Sequence, residues 1–139
     1  MRRSFSWRAR PTLEPLECRT APTVTPVGSE FLVNTTTTSD QQAPAIAMDD
    51  VGDFVIVWQS YNQDNLFDIY AQRYNASGLA QGNEFSVNTY TTGDQTEPAV
   101  AMDADGDFVV VWRSAGQEGE GDPGGIYGQR YNASGTALG

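Results

Sequence analysis

The sequence predicts an all-β fold: two four-stranded antiparallel sheets of β-propeller-blade type, an incomplete propeller or a fragment of a longer repeat array. Three observations predict it. The chain is internally repeated, each copy holds four short strand-like runs separated by turn formers, and no run has helical periodicity. "GSEFLVNTTTTSDQQAPAIAMDDVGDFVIVWQS" (Gly28 to Ser60) aligns without gaps on "GNEFSVNTYTTGDQTEPAVAMDADGDFVVVWRS" (Gly82 to Ser114), with 22 of 33 positions identical. "IYAQRYNASGLAQG" (Ile69 to Gly82) aligns on "IYGQRYNASGTALG" (Ile126 to Gly139), with 11 of 14 identical. The period is 54 residues and then 57, because the loop between the two segments is three residues longer in the second copy.

The chain accordingly divides into a leader (1–27), a first repeat (28–81) and a second repeat (82–139), with Gly139 opening a truncated third. The leader carries Arg2, Arg3, Arg8, Arg10 and Arg19 against Glu14 and Glu17, a net charge of +3. The remaining 112 residues carry three arginines against sixteen acids, a net of −13, and the chain has neither lysine nor histidine. Such a surface repels phosphate backbones and anionic membranes, so a nucleic-acid partner is not expected. Cys18 is the single cysteine, so no intramolecular disulfide can form and the fold must hold by packing or metal alone. No stretch approaches the roughly 18 to 20 apolar residues of a membrane span. The leader also lacks the apolar centre of an ordinary signal peptide and reads as a disordered basic segment.

Within each repeat the first run, "EFSVNT" (Glu84 to Thr89), alternates, with Phe85 and Val87 on one face. "PAVAM" (Pro98 to Met102) is short and rich in small residues. "FVVVW" (Phe108 to Trp112) is apolar on both faces, and "IYGQRY" (Ile126 to Tyr131) mixes aromatic and polar positions. "DADGD", "NASG", "SAGQEGEGDPGG" and "TYTTGDQTE" between them are dense in turn formers. A strand apolar on both faces must be covered on both, which happens in a four-stranded meander when neighbouring sheets stack around an axis. The phase agrees with such stacking. "EFLVNT" would be the outer strand of a preceding blade, so a chain of two units is expected to be a piece of a longer array or a protomer that assembles with copies of itself.

The leader's "RPTLEPLECRTAPT" resembles the "LEPLEDRLTPA"-like segment at the N-terminus of large predicted surface or exported proteins of planctomycete bacteria. Here Cys18 stands in place of an acid and Thr20-Ala21-Pro22 in place of Leu-Thr-Pro. The repeat itself resembles bacterial surface-protein repeats of "VNT…GDQ…PAVAMDADGDFVVVW…YGQRYNASG" type, found in tandem in large exported proteins. The resemblance implies export and an extracellular or cell-surface structural or adhesion module without catalytic chemistry. Its expected partners are further copies of the repeat, in the same longer protein or in a homo-oligomer, or a surface protein or glycan.

The candidate sites are few. Asp103, Asp105 and Asp107 alternate as the first ligands of a calcium loop do, which opens the alternative of a calcium- or carbohydrate-binding propeller domain. An EF-hand would need glycine at the sixth position and glutamate at the twelfth, where Phe108 and Ser114 stand. Val51 occupies the place of Asp105 in the first copy. The competing reading is a hairpin turn in which Gly52 and Gly106 take a positive φ and Asp49 and Asp103 cap the turn amides. Connections alternate between the two ends of a meander, placing "DADGD" with "NASG" and the long polar loops together at the other end. Glu118, Glu120 and Asp122 in those loops are the candidate ligand face. Trp58 and Trp112, at repeat-equivalent positions, are expected to pack in the core rather than stack on sugars. Asn34, Asn75 and Asn132 head N-x-S/T sequons, explained at the latter two by turn chemistry. With no histidine, lysine or nucleophile–base pair, an enzyme is not expected.

Overall fold

A computed structural model of the protein describes residues 26–61, 66–119 and 121–139. All but Pro26 and Val27 of the expected leader lies outside the described residues. The chain divides into two units, Met1–Glu30 and Phe31–Gly139. In the first, the described residues 26–30 are exposed coil. All strands belong to the second.

Eight strands form two four-stranded antiparallel sheets, and no helix occurs among the described residues. The first sheet is β1 (Gln41–Met48), β2 (Phe54–Tyr61), β3 (Phe67–Tyr74) and β4 (Phe85–Ser86), in that order. The second repeats it with β5 (Gln95–Met102), β6 (Phe108–Ser114), β7 (Gly125–Tyr131) and β8 (Ala137–Leu138). By sequence β4 opens the second repeat, yet its hydrogen bonds complete the first sheet: Phe85 pairs with Ala71, Ser86 with Tyr70, and the Val87 amide donates to the Ile69 carbonyl at 2.7 Å. The expected strand over Glu84 to Thr89 is therefore short. Its repeat equivalent, "EFLVNT", pairs with no strand among the described residues.

The strands nearest β2 and β6 start earlier than "PAVAM" suggests. β1 and β5 run from Gln41 and Gln95 through a bulge at matching places, where Ala43 (φ 50°) and Glu97 (φ 57°) adopt left-handed backbone. A bulge inserts an extra residue and lets the strand continue beyond the proline that follows. The glutamines, which read as loop residues, thereby join the sheet.

The core lies between the sheets. One face of the first, bearing Val55, Val57, Ile69 and Ala71, meets the opposite-type face of the second, bearing Phe108, Val110, Trp112 and Tyr131, with Val87 from the connecting segment; all nine are buried. β5 lies against β1, β2 and β3. The outer faces are covered less: Ile46 and Met48 on the first sheet and Val111 and Ile126 on the second are exposed, although Trp58 and Tyr74 on the first sheet's outer side are buried. Each sheet thus uses one of its two apolar faces.

Candidate functional site

The "DDVGD" and "DADGD" segments are the β1–β2 and β5–β6 connections. In the first, an Asp49 carboxylate oxygen accepts from the amides of Val51, Gly52 and Asp53 at 2.8 to 3.0 Å. In the second, an Asp103 oxygen accepts from Asp105 and Asp107 at 3.0 Å each. The turns close with Asp49 N–H on Asp53 C=O and Asp103 N–H on Asp107 C=O, both 2.9 Å, and with Gly52 and Gly106 at φ 94° and 86°. Glycine takes such backbone without the Cβ penalty.

The last aspartate of each turn bridges to "NASG". Asp53 accepts from Ala76 N–H at 2.8 Å and Asp107 from Ala133 N–H at 2.9 Å. These connections therefore share one end of the sheets, as alternation of the meander requires. Asp105 is exposed, and among the described residues no group of three or more acidic or cysteine side chains is placed to hold a metal ion. Asp103 and Asp107, proposed from their spacing as ligands, each commit an oxygen to backbone amides. Asn75 and Asn132 do likewise: Asn75 Oδ1 accepts from Ser77 and Leu79, and Asn132 Oδ1 from Ser134 and Thr136.

At the other end, Asp122 organises its own loop, accepting from Gly124 N–H at 2.8 Å and Glu118 N–H at 3.2 Å. Those two hydrogen bonds hold its carboxyl below the ordinary aspartate range. Glu118 is exposed and reaches the Tyr127 hydroxyl at 3.5 Å. Glu120 lies outside the described residues. The Arg113 guanidinium hydrogen-bonds to the Pro123 carbonyl, and Tyr90 Oη donates to Gly116 C=O at 2.8 Å. Glu118 and Asp122 are thus brought together, but chiefly by bonds that shape the loop.

Two polar devices were not legible beforehand. Trp58 Nε1 donates to Gln41 Oε1 at 2.9 Å and Trp112 Nε1 to Gln95 Oε1 at 3.0 Å, so each indole is satisfied across its own sheet. Both tryptophans are buried. The identical "DQ" in the two copies was the available signal. The second device is Asn88, which accepts from Ile69 N–H at 2.7 Å and donates to Asp68 Oδ1 at 2.7 Å, anchoring the segment after β4 to β3.

Some contacts tie the two repeats together and others recur within each. Arg73 Nη1 donates to the Ser134 carbonyl at 2.5 Å, tying the first sheet to the second sheet's "NASG" turn. Burial draws the Arg73 pKa down, against an opposite pull from Asp53. Glu84 accepts from Thr35 N–H and Thr36 Oγ1, each at 2.7 Å. Partial burial alone would raise the Glu84 pKa, but these hydrogen bonds outweigh it and hold the carboxyl below its ordinary value. Phe31 packs on Tyr74 with ring centroids 5.3 Å apart, and Tyr74 Oη donates to Val33 C=O at 2.9 Å. Phe85 and Tyr131 repeat the arrangement at 5.5 Å, with Tyr131 Oη donating to Val87 C=O at 3.3 Å.

Among the described residues this packing leaves several grooves. A polar one of about 320 Å³ lies between the turns of the two sheets, lined by Asp49, Asp53 and Arg73 on one side and Asp105 and Ala133 on the other. A shallow one of about 440 Å³ sits on the second sheet over Asp103, Asp107, Phe108, Arg130 and Tyr131, the repeat equivalents of the first groove's floor. An apolar one of about 180 Å³ opens on the outer face of the first sheet between Val33, Pro44, Ile56 and Trp58. No protein-family model and no curated protein matches the chain.

Proposed function

We propose that the two sheets are blades of a β-propeller-type array and that the chain serves as a non-enzymatic extracellular or cell-surface structural or adhesion module. The carrying observation is where its polar side chains go. At matched positions in both repeats, Asp49 and Asp103, Asp53 and Asp107, and Gln41 and Gln95 spend their hydrogen-bonding capacity on turns, strand ends and indoles. Groups fixed for architecture in two copies at once serve the repeat rather than a single reaction centre. Export rests on the resemblance of "RPTLEPLECRTAPT" and of the repeat to segments of exported bacterial proteins.

The blade reading is supported by the stacking of unlike faces, which leaves each sheet one face ready for a further neighbour. Protease treatment of intact source cells, followed by immunodetection, tests the location. Digestion of the repeat without lysis is expected; protection until the cells are broken would contradict it.

A further inference from the structure

We infer that the chain binds a second copy of itself head to tail, the segment Phe31–Thr35 of one copy adding to the β7 edge of the next. The inference deepens the structural-module reading and rests on it only for its biological setting, because its basis is the interface between the chain's own two sheets.

The open face of the second sheet corresponds by repeat position to the packed face of the first. Ile69 is 0% exposed and Ile126 is 76%; Val57 is 0% and Val111 is 38%. Conversely, the outer face of the first sheet, with half-buried Phe54 and Ile56 and buried Trp58, corresponds to the packed face of the second, with Phe108, Val110 and Trp112. The two free faces are therefore copies of two faces already seen to fit each other. Val111 and Ile126 are the knobs, and the apolar groove lined by Val33, Pro44, Ile56 and Trp58 is the hole.

Backbone supply matches backbone demand. β8 pairs only with Arg130 and Tyr131, so opposite Tyr127 and Gly128 no strand lies among the described residues, whereas their equivalents Tyr70 and Ala71 carry β4. The donor that β4 exemplifies exists once more in the chain as "EFLVNT", which pairs with no strand among the described residues and has Phe31 and Leu32 exposed. Strand addition at an open edge gives main-chain hydrogen bonds, and the side chains set the register. The internal register places Leu32 of one copy opposite Tyr127 of the next, and Asn34 where Asn88 stands, accepting from the Ile126 amide. Arg130, exposed on the rim of the shallow groove, would meet the Ser77 carbonyl of the next copy as Arg73 meets Ser134. Both contacts join different patches, so the association is heterologous. It closes into a ring if the rotation per copy allows, roughly two to four copies for the usual range of blade numbers.

Mixing distinguishes this geometry from any other. In a Cys18→Ser background, Leu32→Cys and Tyr127→Cys chains are prepared apart, combined and mildly oxidised. The expected product is the mixed 32–127 disulfide in clear excess over both homodimers, with the excess lost when Ile126→Asp is added to the Tyr127→Cys chain. Ile126 is exposed, so this substitution leaves the circular dichroism of the chain unchanged. A statistical mixture of disulfides, or an excess that survives Ile126→Asp, overturns the inference. Should a cysteine variant lose its β-sheet spectrum, sedimentation of the Ile126→Asp chain beside the wild type reads the same contact, and equal masses overturn it. Protease protection in intact cells would sink the surface reading while leaving the mixing result intact, so the two can fail separately.

Discussion

Ile69 and Ile126 occupy the same place in two copies of one sequence motif, yet the first is fully buried and the second three-quarters exposed, at 76%. Their places in the strand match; what differs is the sheet stacked on that face and the edge beside it, where β4 and Asn88 adjoin β3 but no strand among the described residues adjoins β7 at that level. Burial here is set by position in the stack rather than by local sequence, as in repeat architectures whose stability is a sum of unit and interface terms.

That comparison can be broken most directly by substitution. Ile69→Ala should cost about 2 to 5 kcal/mol, the range for truncating a buried aliphatic side chain. Ile126→Ala should change the stability of a single copy by no more than about 0.5 kcal/mol, as for other exposed positions. Denaturant melts at low protein concentration measure both, and equal losses would show that the faces are not distinguished.

The indole partners sharpen it further. Gln95 is 0% exposed, while Gln41 at the matching position is only partly buried. Gln95→Leu strands the Trp112 N–H without water and should cost about 1 to 3 kcal/mol. Gln41→Leu should cost visibly less in the same melts, since Gln41 is itself partly solvated and its bond to Trp58 is only part-buried, whereas the Gln95–Trp112 bond is buried.

Within one turn a similar contrast holds. Asp103→Ala removes the acceptor for two amides and should cost about 1 to 2 kcal/mol, the upper part of the range for such hydrogen bonds. Asp105→Ala, at an exposed side chain with no bond to the turn, should stay within about 0.5 kcal/mol. A larger loss at Asp105, confined to millimolar calcium, would restore the metal reading.

The smallest effect expected is at the join between repeats. The Glu84 carboxyl is held below its ordinary 4.5 in the folded chain. Its contribution is therefore present above the unfolded-state pKa and lost as pH falls through the lower folded one. Glu84→Gln should flatten the acid limb of stability below about pH 4.5 and leave its slope near neutrality unchanged. Because the group is largely solvated, the change should be slight.

Much of the fold was legible because the repeat showed twice what any single strand showed once. The four-strand unit, the turns at Asp49 and Asp103, the shared end of "DADGD" and "NASG", and the burial of Trp58 and Trp112 all follow from matched spacing. The bulges at Ala43 and Glu97 were not, since a residue before proline in left-handed backbone is a tertiary outcome that propensity opposes. Gln41 and Gln95 were lost with them, because glutamine beside threonine and aspartate reads as loop until a strand carries it inward. At the candidate ligand loop, the sequence displays charge but not direction: Asp122 turns its carboxylate to Gly124 and Glu118 amides, which no spacing of acids could reveal.

Sedimentation velocity of the full chain over a wide concentration range tests the central claim, that the contact between the two sheets is a template for contact between copies. The account predicts a mass that rises with concentration from the 15.1 kDa single chain to discrete multiples of it. A folded species that stays at 15.1 kDa throughout would contradict it.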